Sequence, residues 1–97
     1  MLIRKIDIDS IEKYLKAIVE TSSQTRLMQD QLENVLANLE SNESHFKILG
    51  ISKVIYNENK ERFEKEKRSL SSEIAKSVKK VLNNVNALEK KFANCKI

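Results

Sequence analysis

Proline is missing from this chain, and glycine occurs only once, as Gly50, near the middle of the 97 residues. These are the two residues that most often interrupt a helix, so nothing but Gly50 breaks an otherwise helix-compatible chain. Glycine adopts φ > 0 without a Cβ penalty, which makes Gly50 the natural point of chain reversal. We therefore predict an all-α, antiparallel two-helix hairpin, with helix one over about residues 10–41, a turn over about 42–51 and helix two over about 52–94.

Cysteine and histidine each occur once, as Cys95 and His45, and tryptophan is absent. One cysteine cannot form an internal disulfide, and no metal-ligand spacing exists. A single glycine also excludes a Gly-rich phosphate loop. The carboxylates lie in charged helical stretches, where we expect surface charges rather than a general acid and base. We expect no catalytic residue, no cofactor, no metal and no enzymatic activity.

Long apolar runs are missing as well, because no stretch approaches the roughly 18 apolar residues of a membrane span. Residues 1–7 carry too many charges for the apolar region of a signal peptide. We therefore expect no membrane insertion and a cytoplasmic protein. If the protein is exported with a partner, we expect a route that does not read an N-terminal signal.

The charged residues are abundant and unevenly divided between the two predicted helices. Residues 1–50 carry six Lys/Arg against eight Asp/Glu, whereas residues 51–97 carry twelve against six. Oppositely charged antiparallel helices attract each other modestly. A basic surface for nucleic acid is the rival interpretation of the second half.

Both predicted helices carry apolar residues at alternating spacings of three and four, which is the pattern of a heptad seam. In helix one the middle of the seam is polar, at Ser22, Thr25 and Gln29. We take the apolar seam positions as candidate interface residues: Ile11, Leu15, Ile18, Leu32, Leu36, Leu39, Phe63, Leu70, Ile74, Val78, Val81, Val85, Leu88 and Phe92.

Further apolar residues lie beside the seam, among them Val19, Met28, Val35 and Leu82. A hairpin with one seam cannot bury all of these side chains, and small folds of this kind gain stability from a partner. We therefore predict that a second pair of long amphipathic helices completes a four-helix arrangement.

A local apolar cluster surrounds the glycine, and we expect it to pack the end of the hairpin. Its members are His45, Phe46, Ile48, Leu49 and Ile51.

The segment Ile48-Leu49-Gly50, followed by Tyr56, resembles the turn of the W-x-G (ESX-like) family of small type VII secretion proteins. Ile48 stands at the family's Trp position, Gly50 at its Gly and Tyr56 at the following aromatic residue. The segment 6–10, followed by a helix, is similar to the family's opening. The family's export signature places an acid four residues after an aromatic residue, whereas here Lys96 follows Phe92.

The resemblance implies a non-enzymatic component of type VII secretion. Without its own export signature, the chain is expected to act as a helper or chaperone of a larger helical secreted effector, such as an LXG-type toxin, or as half of a small heterodimer. The alternatives are a generic homodimeric coiled-coil protein and a basic nucleic-acid-binding module.

Overall fold

The computed structural model describes residues 8–93, and this range forms two long antiparallel helices without a β-strand. Helix α1 spans Ile8–Ser44, continues as a single π-helical turn over His45–Leu49, and is followed by helix α2 over Lys53–Ala93. The predicted all-α hairpin is confirmed. The opening segment 6–10 lies only partly within this range, where Ile8 to Ser10 are helical, and residues 94–97, with Cys95 and Lys96, lie outside it.

The reversal is shorter than the predicted turn over about 42–51, because only residues 50–52 lie outside the helices. Asn42 is buried and hydrogen-bonds to α2, so this part of the chain is held as helix although its residues favour turns. Gly50 ends the helical segment in the left-handed conformation, with φ 63° and ψ 37°. It thus provides the reversal that the sequence predicts.

Helix α2 begins with a side-chain cap from Ser52. The Ile55 N–H donates to the Ser52 hydroxyl oxygen at 3.2 Å, and the Tyr56 N–H donates to the Ser52 carbonyl at 2.9 Å. A serine N-cap that bonds the third helical residue satisfies one of the free N–H groups of a helix start.

The chain divides into two compact units. The first, here the terminal unit, comprises residues 8–25 and 76–93 of the described range. Its seam is set by Thr25, whose hydroxyl shares a hydrogen bond with the Ser77 hydroxyl across the two helices and also donates to the Thr21 carbonyl at 2.7 Å. Buried or half-buried residues recur here at spacings of three and four, at Ile11, Tyr14, Ile18, Thr21, Thr25, Ser77, Val81, Asn84, Leu88 and Lys91.

The second unit, here the tip unit, is Arg26–Ala75. Val35 is its one buried hydrophobic residue, and Asn42 is buried beside α2. The same alternation of three and four continues along α1 through half-buried or buried residues at Met28, Leu32, Val35, Leu39, Asn42 and Phe46. Opposite them on α2 the half-buried residues include Tyr56, Asn59, Phe63, Leu70 and Ile74.

A minority of the predicted seam positions is displaced by one residue in the structure. Ile11, Ile18, Leu32 and Leu39 lie in it, but Leu15 and Leu36 are exposed. Tyr14, Thr21, Met28 and Val35 take the alternate positions of the seam on α1. On α2, Val78 and Phe92 are exposed in the same way, with Ser77 and Lys91 in the seam beside them. Each displaced residue immediately follows a seam residue. Because the apolar stripe is wide, either the predicted residue or the one before it could face the other helix.

Candidate functional site

The terminal unit exposes a set of large apolar side chains that we call the lateral face. Its members are Ile8, Leu15 and Val19 of α1 with Val78, Leu82 and Phe92 of α2, and each exposes more than two-fifths of its surface. Half-buried Val85 lies on the same stripe of α2 as Val78 and Leu82. Single exposed apolar residues are ordinary on protein surfaces, so the question is whether these side chains are contiguous.

The heptad register places both stripes on one side of the seam. Leu15, Val78 and Phe92 each immediately follow a seam residue, and so do Val19 and Leu82. One step along a helix rotates the side chain by about 100°. Because the two helices run in opposite directions, that rotation carries the following residue to the same side of the seam in both.

The shared hydrogen bond between Thr25 and Ser77 fixes the level of each residue along the seam. Val19 lies six residues before Thr25, and Leu82 lies five residues after Ser77. Because the two helices are antiparallel, Val19 and Leu82 lie at about the same height along the seam. By the same count, Leu15 lies near the level of Val85. The lateral face therefore comprises side chains of both helices at matching heights on one side of the seam.

The opposite side of the seam in the terminal unit is polar. The residues there that flank the seam include no apolar side chain larger than alanine: Ser10, Lys13, Ala17, Glu20 and Gln24 on α1, and Lys76, Lys80, Asn83, Ala87 and Lys90 on α2. The large exposed apolar side chains of the terminal unit thus all lie on one side of the seam, which they share with Glu12, Ser22 and Glu89, and none lies on the other side.

The predicted interface residues therefore separate into three groups. Most lie in the seam between α1 and α2: Ile11, Ile18, Leu32, Leu39, Phe63, Leu70, Ile74, Val81 and Leu88. Leu15, Val78, Val85 and Phe92 lie on the side of the lateral face. Leu36 belongs to the tip unit, where it lines an open depression on α1 together with Leu32 and the polar residues Arg26, Gln29, Asp30 and Glu33.

A polar network joins α1 and α2 next to the reversal. The Asn42 amide donates to the Tyr56 carbonyl at 3.0 Å, and its oxygen accepts from the Asn59 amide at 3.2 Å. The Tyr56 hydroxyl donates to the Glu43 carboxylate, which also lies 4.0 Å from the Lys60 ammonium. Within residues 8–93, no buried side-chain nitrogen or oxygen lacks a hydrogen-bond partner.

Tyr56 is the centre of this network. Its ring stacks on Phe46, with centroids 4.3 Å apart and planes at 22°, and the Lys60 ammonium lies 5.8 Å from its centroid. The hydrogen bond to Glu43 raises the pKa of the Tyr56 hydroxyl above its ordinary value, and desolvation and the nearby negative charge act in the same direction.

The three residues of the predicted turn motif have different surroundings. Gly50 is the left-handed residue of the reversal and Tyr56 is packed as described. Ile48 is 80% exposed, and Phe46 rather than Ile48 is the α1-side residue that stacks on Tyr56. The prediction that Ile48 and Leu49 pack the end of the hairpin is wrong, because both are largely exposed in the π-helical turn, which contains no buried residue.

Among residues 8–93, no group of three or more His, Cys, Asp or Glu side chains is arranged to hold a metal ion. The same part of the chain contains no helix with both the length and the apolar character needed to cross a bilayer. Comparison with protein-family models, with curated proteins and with solved structures finds no match for this chain.

Sequence reasoning missed the polar residues that fix the register, Thr21, Ser77, Asn42 and Asn59. The signal that could have found them is spacing: each lies three or four residues from a neighbouring seam position. Their polarity concealed them from a search for apolar periodicity.

Proposed function

We propose that this protein works by binding, and that its lateral face packs against a second pair of long amphipathic helices to form a four-helix bundle. The observation that carries the proposal is the alignment of two exposed apolar stripes on one side of the terminal unit, opposite a charged side. Covering such side chains contributes on the order of 1.5–3 kcal/mol each before ordering costs are subtracted. Four-helix bundles bury apolar stripes of this width in their core.

We further propose that the partner is a larger helical secreted effector and that the chain is its W-x-G-like helper in type VII secretion. Support comes from the antiparallel hairpin, from Gly50 at the reversal and from Tyr56 six residues later. An LXG-type toxin with a long helical domain would offer a surface of the required shape.

The test is co-expression with a candidate helical effector, followed by size exclusion of the complex. The two exposed aliphatic residues Val19 and Leu27 form a matched pair, since each is 63% exposed on α1 and only Val19 belongs to the lateral face. We expect Val19→Ser together with Leu82→Ser to prevent co-elution, and Leu27→Ser to leave it intact. Unchanged helical circular dichroism in each variant shows that folding is preserved. Co-elution that survives the lateral-face changes would contradict the proposal.

A homodimer is the second candidate, because the lateral face is the same on every copy and a two-fold axis could pair it with itself. Sedimentation of the purified chain without any other protein distinguishes the two. If the purified chain is a stable dimer and Val19→Ser with Leu82→Ser abolishes that dimer, self-association is favoured. If the purified chain is a monomer that binds only a second protein, the helper function is favoured.

A further inference from the structure

The end of the hairpin carries a second exposed apolar surface, independent of the lateral face. We define the tip segment as residues 44–57, in the tip unit. Ile48 is 80% exposed, Leu49 69%, Val54 66% and Ile55 51%. Four large aliphatic side chains in so short a segment is more than scattered surface residues require.

The charges of the tip segment all have one sign. Lys47 and Lys53 lie beside the exposed aliphatic residues, and residues 44–57 contain no Asp or Glu. The nearest acids flank the segment, and one of them, Glu43, is engaged by Tyr56 and Lys60. The tip therefore presents aliphatic side chains together with ammonium groups.

The exposed aliphatic side chains of the tip segment lie on both sides of the reversal. Ile48 and Leu49 precede Gly50, and Val54 and Ile55 belong to the first turn of α2, where their side chains are about 100° apart around the helix. A surface approached end-on could cover all four.

We infer that the tip segment docks end-on onto an anionic lipid surface. Interfacial binding strengthens with buried apolar area and with attraction of basic residues to anionic lipid headgroups, and the tip supplies both. Ile48, Leu49, Val54 and Ile55 seat at the boundary between headgroups and acyl chains, while Lys47 and Lys53 contact headgroup phosphates. This contact needs no membrane-spanning helix and does not depend on the lateral face.

Co-sedimentation of the full chain with phospholipid vesicles tests the inference. We expect binding to vesicles containing phosphatidylglycerol, weaker binding to vesicles of phosphatidylcholine alone, and loss with rising salt. Ile48→Ser with Leu49→Ser, and separately Lys47→Gln with Lys53→Gln, should each weaken binding about tenfold or more. The exposure of these side chains leaves folding intact, which circular dichroism verifies.

Val19→Ser with Leu82→Ser is the control, since it removes apolar area of the lateral face and should leave vesicle binding unchanged. The inference is overturned if the chain does not sediment with anionic vesicles, if neutral vesicles bind it equally well, or if the lateral-face variant loses binding and the tip variant keeps it. It is also overturned if the tip variant loses only a protein partner, because the occupant is then a protein. Failure of vesicle binding leaves the co-elution test of the lateral face unaffected.

Discussion

Thr25 and Ser77 share a hydrogen bond across the seam of the terminal unit, and the same Thr25 hydroxyl lies 2.7 Å from the Thr21 carbonyl on its own helix. An apolar pair at this level could slide by a turn without losing much contact area. A hydroxyl pair resists such sliding, because displacement breaks the shared hydrogen bond and leaves the half-buried Ser77 hydroxyl without this partner. The pair therefore fixes the height of α1 against α2 in this unit, and with it the alignment of the lateral face.

We predict that the two hydroxyls are energetically coupled. In a double-mutant cycle of Thr25→Val and Ser77→Ala, the double variant should lose less stability than the two single variants together, by about 0.5–1.5 kcal/mol. The reason is that the second replacement removes the group that the first left unpaired. Urea unfolding followed by circular dichroism measures each free energy. Thr25→Val combined with Ser72→Ala, an exposed serine, should be additive; coupling of the same size there would count against the prediction.

We predict that Asn42→Ala lowers the free energy of unfolding by about 1–3 kcal/mol, because it leaves the Asn59 amide and the Tyr56 carbonyl without their partner. Asn38→Ala is the control, since Asn38 is exposed on the same helix and the same replacement gains the same helix propensity. Its urea midpoint should change little. Equal urea midpoints for Asn42→Ala and Asn38→Ala would show that the polar network around Asn42 contributes nothing to the stability of the fold.

Gly50→Ala should cost about 1–2 kcal/mol, which is the penalty for a Cβ in the left-handed conformation. A Cβ at this position would have no atom within 4 Å, so the cost is conformational and not steric. Asparagine tolerates this conformation better, and Gly50→Asn should cost less. If thermal unfolding ranks asparagine below alanine, the left-handed reversal is not what makes glycine necessary.

The Tyr56 hydroxyl should ionise above the ordinary value of 10.0, because its hydrogen bond to Glu43 favours the neutral form. The chain has two tyrosines, so Tyr14→Phe leaves Tyr56 as the only phenol in an ultraviolet absorbance titration. Adding Glu43→Gln should move the pKa of Tyr56 back toward 10.0, because the hydrogen bond to a carboxylate, and with it the negative charge, is removed. An unchanged titration in that variant would exclude Glu43 as the cause.

The same shift predicts a sign for the pH dependence of stability. Since the folded-state pKa of Tyr56 is the higher one, its contribution is complete below the unfolded value and is lost as pH rises through the folded value. The alkaline decline in the free energy of unfolding should therefore be smaller in Tyr56→Phe than in the wild-type chain. A decline of equal size in both would mean that other groups cause it.

Two features could be predicted from the sequence because they depend on local chemistry. The absence of proline and the single Gly50 predict two helices and the place where they reverse, and Ser52 marks the start of α2 as an ordinary N-cap. The shared seam residues Ile11, Ile18, Leu32 and Leu39 could be predicted for the same reason, since their spacing suits either register of the stripe.

The rest could not be read from one helix at a time. Tyr14 and Leu15 are both suitable seam residues by spacing, and so are Val35 and Leu36. Which member of each pair faces inward depends on the residues opposite, on α2. Asn42 looked like a turn residue because its partners, Tyr56 and Asn59, are distant in sequence.

The sequence by itself determined that this protein is a helical hairpin with its reversal at Gly50 and with more apolar side chains than one seam can bury. Only the tertiary structure decided which of them remain outside. The hydroxyl pair of Thr25 and Ser77 sets the register in the terminal unit, and that register leaves Leu15, Val19 and Leu82 exposed on one side. The physical reason is that helix formation follows from local backbone and side-chain preferences, whereas a surface shared by two helices exists only once their relative height and rotation are fixed.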